Sequence, residues 1–232
     1  MESQKQEASR QTQLKVCGLT QLNHINELMV LKVDFLGFIF YEKSPRFVLN
    51  HLSLDEISTI DHHGKVGVFV NETVGKIVEI SDEANLNFIQ LHGDENEEYI
   101  IKLRQNLNEN VKIIKVIRVG TYKSEVENEL QKISNLARGK AELSEAKPLV
   151  SNLLFDTDSK AFGGTGKTFD WNILTEIKIP LPYFLSGGIS LENVDQIKNL
   201  SQKPFSLDIN SKFETEAGIK DIEKIKKLYE KL

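Results

Sequence analysis

Eight short apolar runs, each followed by a stretch with helical spacing, constrain this chain more than any other feature. The runs fall at 14–17, 34–40, 65–70, 87–91, 111–119, 153–155, 183–185 and 205–208. Between them lie helical patterns at 53–61, 73–84, 95–107, 124–137, 171–177, 190–200 and 217–229, with Thr20 read as the cap of a first helix through Ile25, Leu28 and Met29. In the second, Ser53 with Glu56 three residues on makes a capping box. Strands that alternate with helices pair in parallel through crossovers. Spread over 14–232, the eight units take roughly 27 residues each, near the size of a (β/α)8 barrel of about 250 residues. A doubly wound open sheet produces the same alternation. The glycines favour the barrel, because Gly163-Gly164, Gly166 and Gly187-Gly188 all follow late strands, where barrels bind phosphate.

No shift in composition divides 14–232, so it reads as a single α/β domain, a (β/α)8 barrel. Residues 1–13 are polar and read as a disordered tail without the apolar centre of a secretory signal. Arg138–Val150 is a polar insertion before the sixth strand, with no function assigned. The net charge of −5 offers no electrostatic footprint for nucleic acid. One cysteine excludes an intrachain disulfide framework, and five scattered histidines do not suggest a zinc cluster. No apolar run reaches the roughly 20 residues of a membrane helix. The cytoplasm is the expected compartment.

The densest chemistry lies at 156–167, where Asp156 ends a buried strand and Gly163-Gly164-Thr165-Gly166-Lys167 follows. Glycines let backbone N–H groups approach a ligand closely, and such groups beside a helix start suit a phosphate. The spacing is not that of an ATP-binding P-loop. Read blandly, it is a flexible surface loop.

In a barrel, catalytic groups stand at the carboxyl ends of strands. That filter selects Cys17, Arg46, His92, Asp156 and Asp208. Cys17 is either a small buried hydrophobe or, where a helix start or a cation stabilises the thiolate, a base. Asp156 is either a turn aspartate or a carboxyl whose pKa a partly apolar mouth raises, making it an acid. Arg46 is a solvated surface arginine or a fork for a substrate carboxylate. His92 faces substrate or orders its loop. Lys167 and Lys212 add charge near phosphate or are solvated.

Five segments in order resemble one family. They are Lys15-Val16-Cys17-Gly18-Leu19-Thr20, Ser44-Pro45-Arg46, Gln90-Leu91-His92-Gly93, Phe155-Asp156 with Gly163 to Trp171, and Ser186-Gly187-Gly188-Ile189. Together they resemble phosphoribosylanthranilate isomerase. The resemblance implies a TIM barrel of tryptophan biosynthesis that isomerises N-(5-phosphoribosyl)anthranilate to 1-(2-carboxyphenylamino)-1-deoxyribulose 5-phosphate, without metal or organic cofactor. It implies Cys17 as general base, Asp156 as general acid, and Arg46 as holder of the anthranilate carboxylate. It also implies Gly164, Thr165, Gly166, Gly187, Gly188, Asn210 and Ser211 as the phosphate cradle. His92 and Asp208 are further substrate-facing groups. The expected partner is a small phosphorylated substrate, with neither nucleic acid nor membrane, and the chain is a monomer or a homodimer. One departure is Asn210-Ser211-Lys212-Phe213-Glu214, where the family commonly reads Ser-Ser-Gly-Val-Glu; Lys212 replaces the glycine. The insertion at 138–150 is another. The alternatives are a phosphate-binding barrel using a catalytic lysine, such as indole-glycerol-phosphate synthase, a metal-dependent sugar-phosphate epimerase, and a non-catalytic barrel. Lys15 lies on the same side of its strand as Cys17, so facing alone does not exclude the lysine.

Overall fold

A computed structural model describes residues 12–120, 122–137, 148–157 and 169–232. Eight parallel strands close into a barrel in sequence order, the first pairing with both the second and the eighth. They are β1 (Gln13–Val16), β2 (Phe35–Ile39), β3 (Lys65–Phe69), β4 (Phe88–Leu91), β5 (Lys112–Val119), β6 (Asn152–Thr157), β7 (Tyr183–Leu185) and β8 (Ser206–Ile209). The barrel therefore begins one residue earlier than expected, at Gln13. Closure settles the choice between barrel and open sheet.

Strand alternation sorts the side chains into two cores. Val68, Gln90, Asp156 and Asp208 line the mouth, so residues two positions earlier share their inward face. Accordingly Phe35, Val66, Phe88, Ile114, Leu154 and Phe184 belong to one buried cluster that plugs the barrel below the mouth. Phe35 meets Phe88 and Phe184 edge-on, with ring centroids 5.3 and 5.1 Å apart. Outward residues such as Leu14, Leu36, Ile89 and Leu153 join a second, larger core with the helices.

The helices are α1 (Leu22–Val30), α2 (Leu54–Ser58), α3 (Val74–Glu83), α4 (Glu97–Asn106) and α5 (Lys123–Ala137). Ser53 and Glu56 form the capping box at the start of α2, and Thr73 caps α3. Thr20 does not cap α1. Gln21 occupies that position without a side-chain bond, and the Thr20 hydroxyl instead donates to Gly218 O at 2.7 Å. Glu95 also falls outside its expected helix; α4 is capped by Asn96, and Glu95 turns inward to Lys115.

The last quarter departs furthest from the helical reading. After β6 and β7 the described segments are 3₁₀ helices, Trp171–Thr175 and Val194–Asn199. The helix expected over 217–229 is divided. A ribbon of β9 (Glu214–Glu216) and β10 (Ile219–Lys220) comes first, then α6 (Ile222–Tyr229), capped by Asp221. Two residues, Ala217 and Gly218, turn the ribbon, and Gly218 has φ +86°. Residues 1–11 of the expected tail, 138–147 of the insertion and 158–168 of the glycine-rich loop lie outside the described residues.

Candidate active site

One pocket opens at the C-terminal ends of the strands. It is lined by Cys17, Arg46, His92, Asp156, Gly187, Gly188, Asp208, Asn210 and Ser211. Every described residue selected from the sequence thus faces a single mouth. Gly164, Thr165 and Gly166 fall on the undescribed loop.

Cys17 follows β1 and Asp156 is the penultimate residue of β6, so the two approach from strands three places apart around a ring of eight. Burial pushes the Cys17 thiol up from its ordinary value, and the neighbouring Lys15 ammonium opposes that push. Asp156 accepts from Thr157 N–H through Oδ1 at 2.9 Å, while its Oδ2 lies 3.4 Å from His92 Nε2. The two sides of the mouth thus differ in kind. One carries a sulfur beside a cation, and the other a carboxyl beside N–H donors.

Below the rim the interior is polar. Lys15, fully buried, donates from Nζ to Gln90 Oε1 and to Asp208 Oδ1, each at 2.9 Å. Burial alone would lower the Lys15 pKa, but Asp208 and Cys17 hold it above its usual value. Asp208 therefore sits at the mouth as the partner of Lys15. Gln90 in turn reaches His92 Nδ1 at 3.0 Å. The backbone after β4 is pinned from β5, where Arg118 donates to His92 O at 3.2 Å and Lys115 to Gly93 O at 3.0 Å.

Arg46 stands on the loop after β2, where its N–H donates to Ser44 Oγ at 3.1 Å. Its guanidinium meets Glu214 of the ribbon. Nε donates at 3.0 and 2.9 Å to the two carboxylate oxygens, and a terminal nitrogen donates at 2.7 Å. Buried Lys220 donates to the same carboxylate at 2.6 Å and to Asn210 Oδ1 at 2.9 Å. The arginine fork is thus oriented by a carboxylate of the chain itself. Gly18 is the neighbour that makes room, with φ +74° and space that a Cβ would contest with Arg46 Cδ at 2.7 Å.

Beyond β7, Gly187 and Gly188 both have positive φ, +84° and +70°. A Cβ on Gly187 would stand 2.4 Å from Thr157 Oγ1 and 3.3 Å from Asp156 Oδ1. Lys212, in the short 3₁₀ helix Ser211–Phe213, is exposed at the rim and does not adopt positive φ, so the backbone conformation there does not require glycine.

Sequence reading missed Gln90, Glu214, Lys220 and Thr157 as parts of this constellation. Gln90 was legible, two residues before His92 on one strand face. Lys220 was hidden behind the helix expected over 217–229, and Glu214, named in the segment after the last strand, had no visible partner. Among the described residues, no group of three or more His, Cys, Asp or Glu side chains is arranged to hold a metal ion, and no helix is long and apolar enough to cross a membrane.

A closed parallel (β/α)8 barrel that gathers a thiol, a carboxyl, an arginine and glycine turns at its C-terminal mouth defines a barrel-enzyme architecture. Residues 14–231 match the family model described as N-(5′-phosphoribosyl)anthranilate (PRA) isomerase. The chain belongs to that family. N-(5′-phosphoribosyl)anthranilate isomerase of Parabacteroides distasonis is 36% identical over 222 residues, covering 94% of this chain and 92% of the relative. The enzyme of the same name from Caldanaerobacter subterraneus is also 36% identical, covering 94% and 97%. Among solved structures, phosphoribosyl anthranilate isomerase from Thermotoga maritima superposes with a TM-score of 0.75 at 30% identity, covering 95% of this chain and all of that one. Another isomerase structure holds reduced 1-(o-carboxyphenylamino)-1-deoxyribulose 5-phosphate; it is 28% identical, with a TM-score of 0.71 and coverage of 94% and 97%.

Proposed function

We propose that the protein isomerises N-(5-phosphoribosyl)anthranilate to 1-(2-carboxyphenylamino)-1-deoxyribulose 5-phosphate, as a step of tryptophan biosynthesis in the cytoplasm. The observation that carries this reading is the placement of Cys17 and Asp156 on separate walls of one mouth. An aldose-to-ketose shift needs an acid at the ring oxygen and a base at C2′, and this mouth offers one of each.

Asp156, in its acid form, gives a proton to the furanose ring oxygen. The C1′–O bond breaks, and the anilino nitrogen's lone pair forms the Schiff base. The carboxylate left behind is stabilised by the Thr157 N–H. The Cys17 thiolate then removes the proton from C2′. That electron pair makes the C1′–C2′ double bond of an enolamine, which tautomerises to the ketone. No electrons are gained or lost overall. Each proton transfer contributes about 10²–10⁴-fold.

Arg46, aimed by Glu214, would face the anthranilate carboxylate. Gly187, Gly188, Asn210 and Ser211, together with Gly164, Thr165 and Gly166 of the preceding loop, would form the phosphate cradle. Lys212 adds positive charge at the rim. A lysine-based mechanism of the synthase type is disfavoured because Lys15 is fully buried and spent on Asp208 and Gln90.

The test is loss of phosphoribosylanthranilate fluorescence with purified protein and a metal chelator present. Turnover that persists in chelator supports the reading; no turnover overturns it. The Cys17→Ser and Asp156→Asn proteins are expected to retain the fold and lose about 10²-fold or more in kcat.

A further inference from the structure

We propose that Lys15 is a positioning residue serving both sides of the mouth, placing its charge on the strand face of Cys17 and setting, through Gln90, which nitrogen of His92 carries its proton beside Asp156. This rests on the roles given above to Cys17 and Asp156.

Lys15 and Cys17 are two residues apart on one strand face, so both look into the barrel. An ammonium has three N–H donors and accepts nothing. Two acceptors hold it, Gln90 Oε1 and Asp208 Oδ1, each at 2.9 Å, which leaves one N–H on the face that Cys17 shares. A cation here is costly to bury, and apolar residues commonly replace such pairs without loss of stability. Its retention in a barrel otherwise plugged by Phe35, Phe88 and Phe184 therefore points to a task beyond packing.

The first consequence passes along β4. A donor-only neighbour obliges Gln90 to present its carbonyl to Lys15. The Gln90 amide N–H then faces His92 Nδ1, 3.0 Å away. An N–H must meet a lone pair, so Nδ1 is bare and the ring proton sits on Nε2. That proton lies toward Asp156 Oδ2, 3.4 Å distant. The carboxylate formed when Asp156 releases its proton thus meets a second donor besides Thr157 N–H. The second consequence is at the sulfur. Burial raises the thiol, and Asp208 on β8 raises it further; Lys15 and, from the ribbon, Lys220 lower it. His92 and Asp156 complete the titratable groups around Asp208 across the mouth, and the Arg46–Glu214 pair lies behind Lys220. Of the two ammonium groups that favour the thiolate, Lys15 acts more strongly than Lys220.

Cys17 is the chain's single cysteine, so alkylation by iodoacetamide, read by intact mass, reports on it alone. Lys15→Met is expected to move the pH midpoint of that alkylation upward by about one to three units, and to lower kcat more than it changes KM. Gln90→Met should lower kcat while leaving the midpoint in place. In the unmodified protein, ¹⁵N imidazole spectra should show His92 bare at Nδ1 and protonated at Nε2; this measurement needs no variant, so it decides the matter even if Lys15→Met does not fold. An unmoved midpoint in folded Lys15→Met, or a His92 proton found on Nδ1, overturns the proposal. Failure of the catalytic reading itself looks different. Cys17→Ser would then turn over normally while the alkylation and tautomer results still stood.

Discussion

Glu214 holds two cations on one carboxylate, Arg46 at the rim and Lys220 beneath it. Burial pushes its pKa up, but the Arg46 bonds and the Lys220 ammonium outweigh that and hold it below its ordinary 4.5. A depressed carboxyl contributes stability that is present above the unfolded pKa and is lost as pH falls through the folded one. Thermal melts between pH 7 and 3 should therefore show Tm falling below about pH 4.5 in the unmodified protein, with a smaller acid-dependent loss in Glu214→Gln. The same substitution should cost about 1–3 kcal/mol and raise KM through a loosened Arg46; a KM unchanged in Glu214→Gln would separate the arginine from the substrate carboxylate. Arg46 was legible in the sequence as a fork after Pro45. Its partner was not, because Glu214 lies 168 residues away and only closure of the barrel brings the two together.

At the level of elements, the β-strands were the clearest part of the sequence because apolar, β-branched runs bounded by glycine and polar loops have few other uses. Helix ends were less clear. Thr20 has the chemistry of a cap, yet its hydroxyl reaches Gly218 O, a partner that only the finished fold supplies. From Ala217 onward the ribbon carries the spacing of a helix, although Gly218 and the capping Asp221 are signals of a turn and a later start. The connection after β7 shows how an element can limit chemistry. Gly187 has φ +84°, and a Cβ there would press on Thr157 Oγ1 at 2.4 Å, against the residue that donates to Asp156. Gly187→Ala is expected to lower Tm by several degrees and kcat by at least about tenfold, since strained positive φ and displacement of Asp156 act together. Steady-state kinetics beside a melting curve check this; wild-type kcat would show that the turn is not coupled to the acid.

Across the whole molecule, the barrel's two ends do different work. The aromatic plug of Phe35, Phe88 and Phe184 fills the barrel, and the polar mouth above it gathers Cys17, Arg46, His92 and Asp156. Phe184→Ala should cost about 3–5 kcal/mol in denaturant unfolding yet leave kcat near wild type where the protein is still folded. A large loss of kcat in that folded variant would mean that plug and mouth are not separable. Alternation of strand and helix made the architecture readable. It also made the residues at strand ends readable as one set, because a closed parallel barrel sends every strand's carboxyl end to the same side. The polar interior was harder to foresee, since Lys15 meets Asp208 on the adjoining β8 and Gln90 across the barrel on β4, strands remote from β1 in sequence. The most direct measurement is steady-state turnover of N-(5-phosphoribosyl)anthranilate by the unmodified, Cys17→Ser and Asp156→Asn proteins, each verified as folded. The account predicts turnover in the first and a fall of about 10²-fold or more in each of the others; near-wild-type kcat in either variant would contradict it.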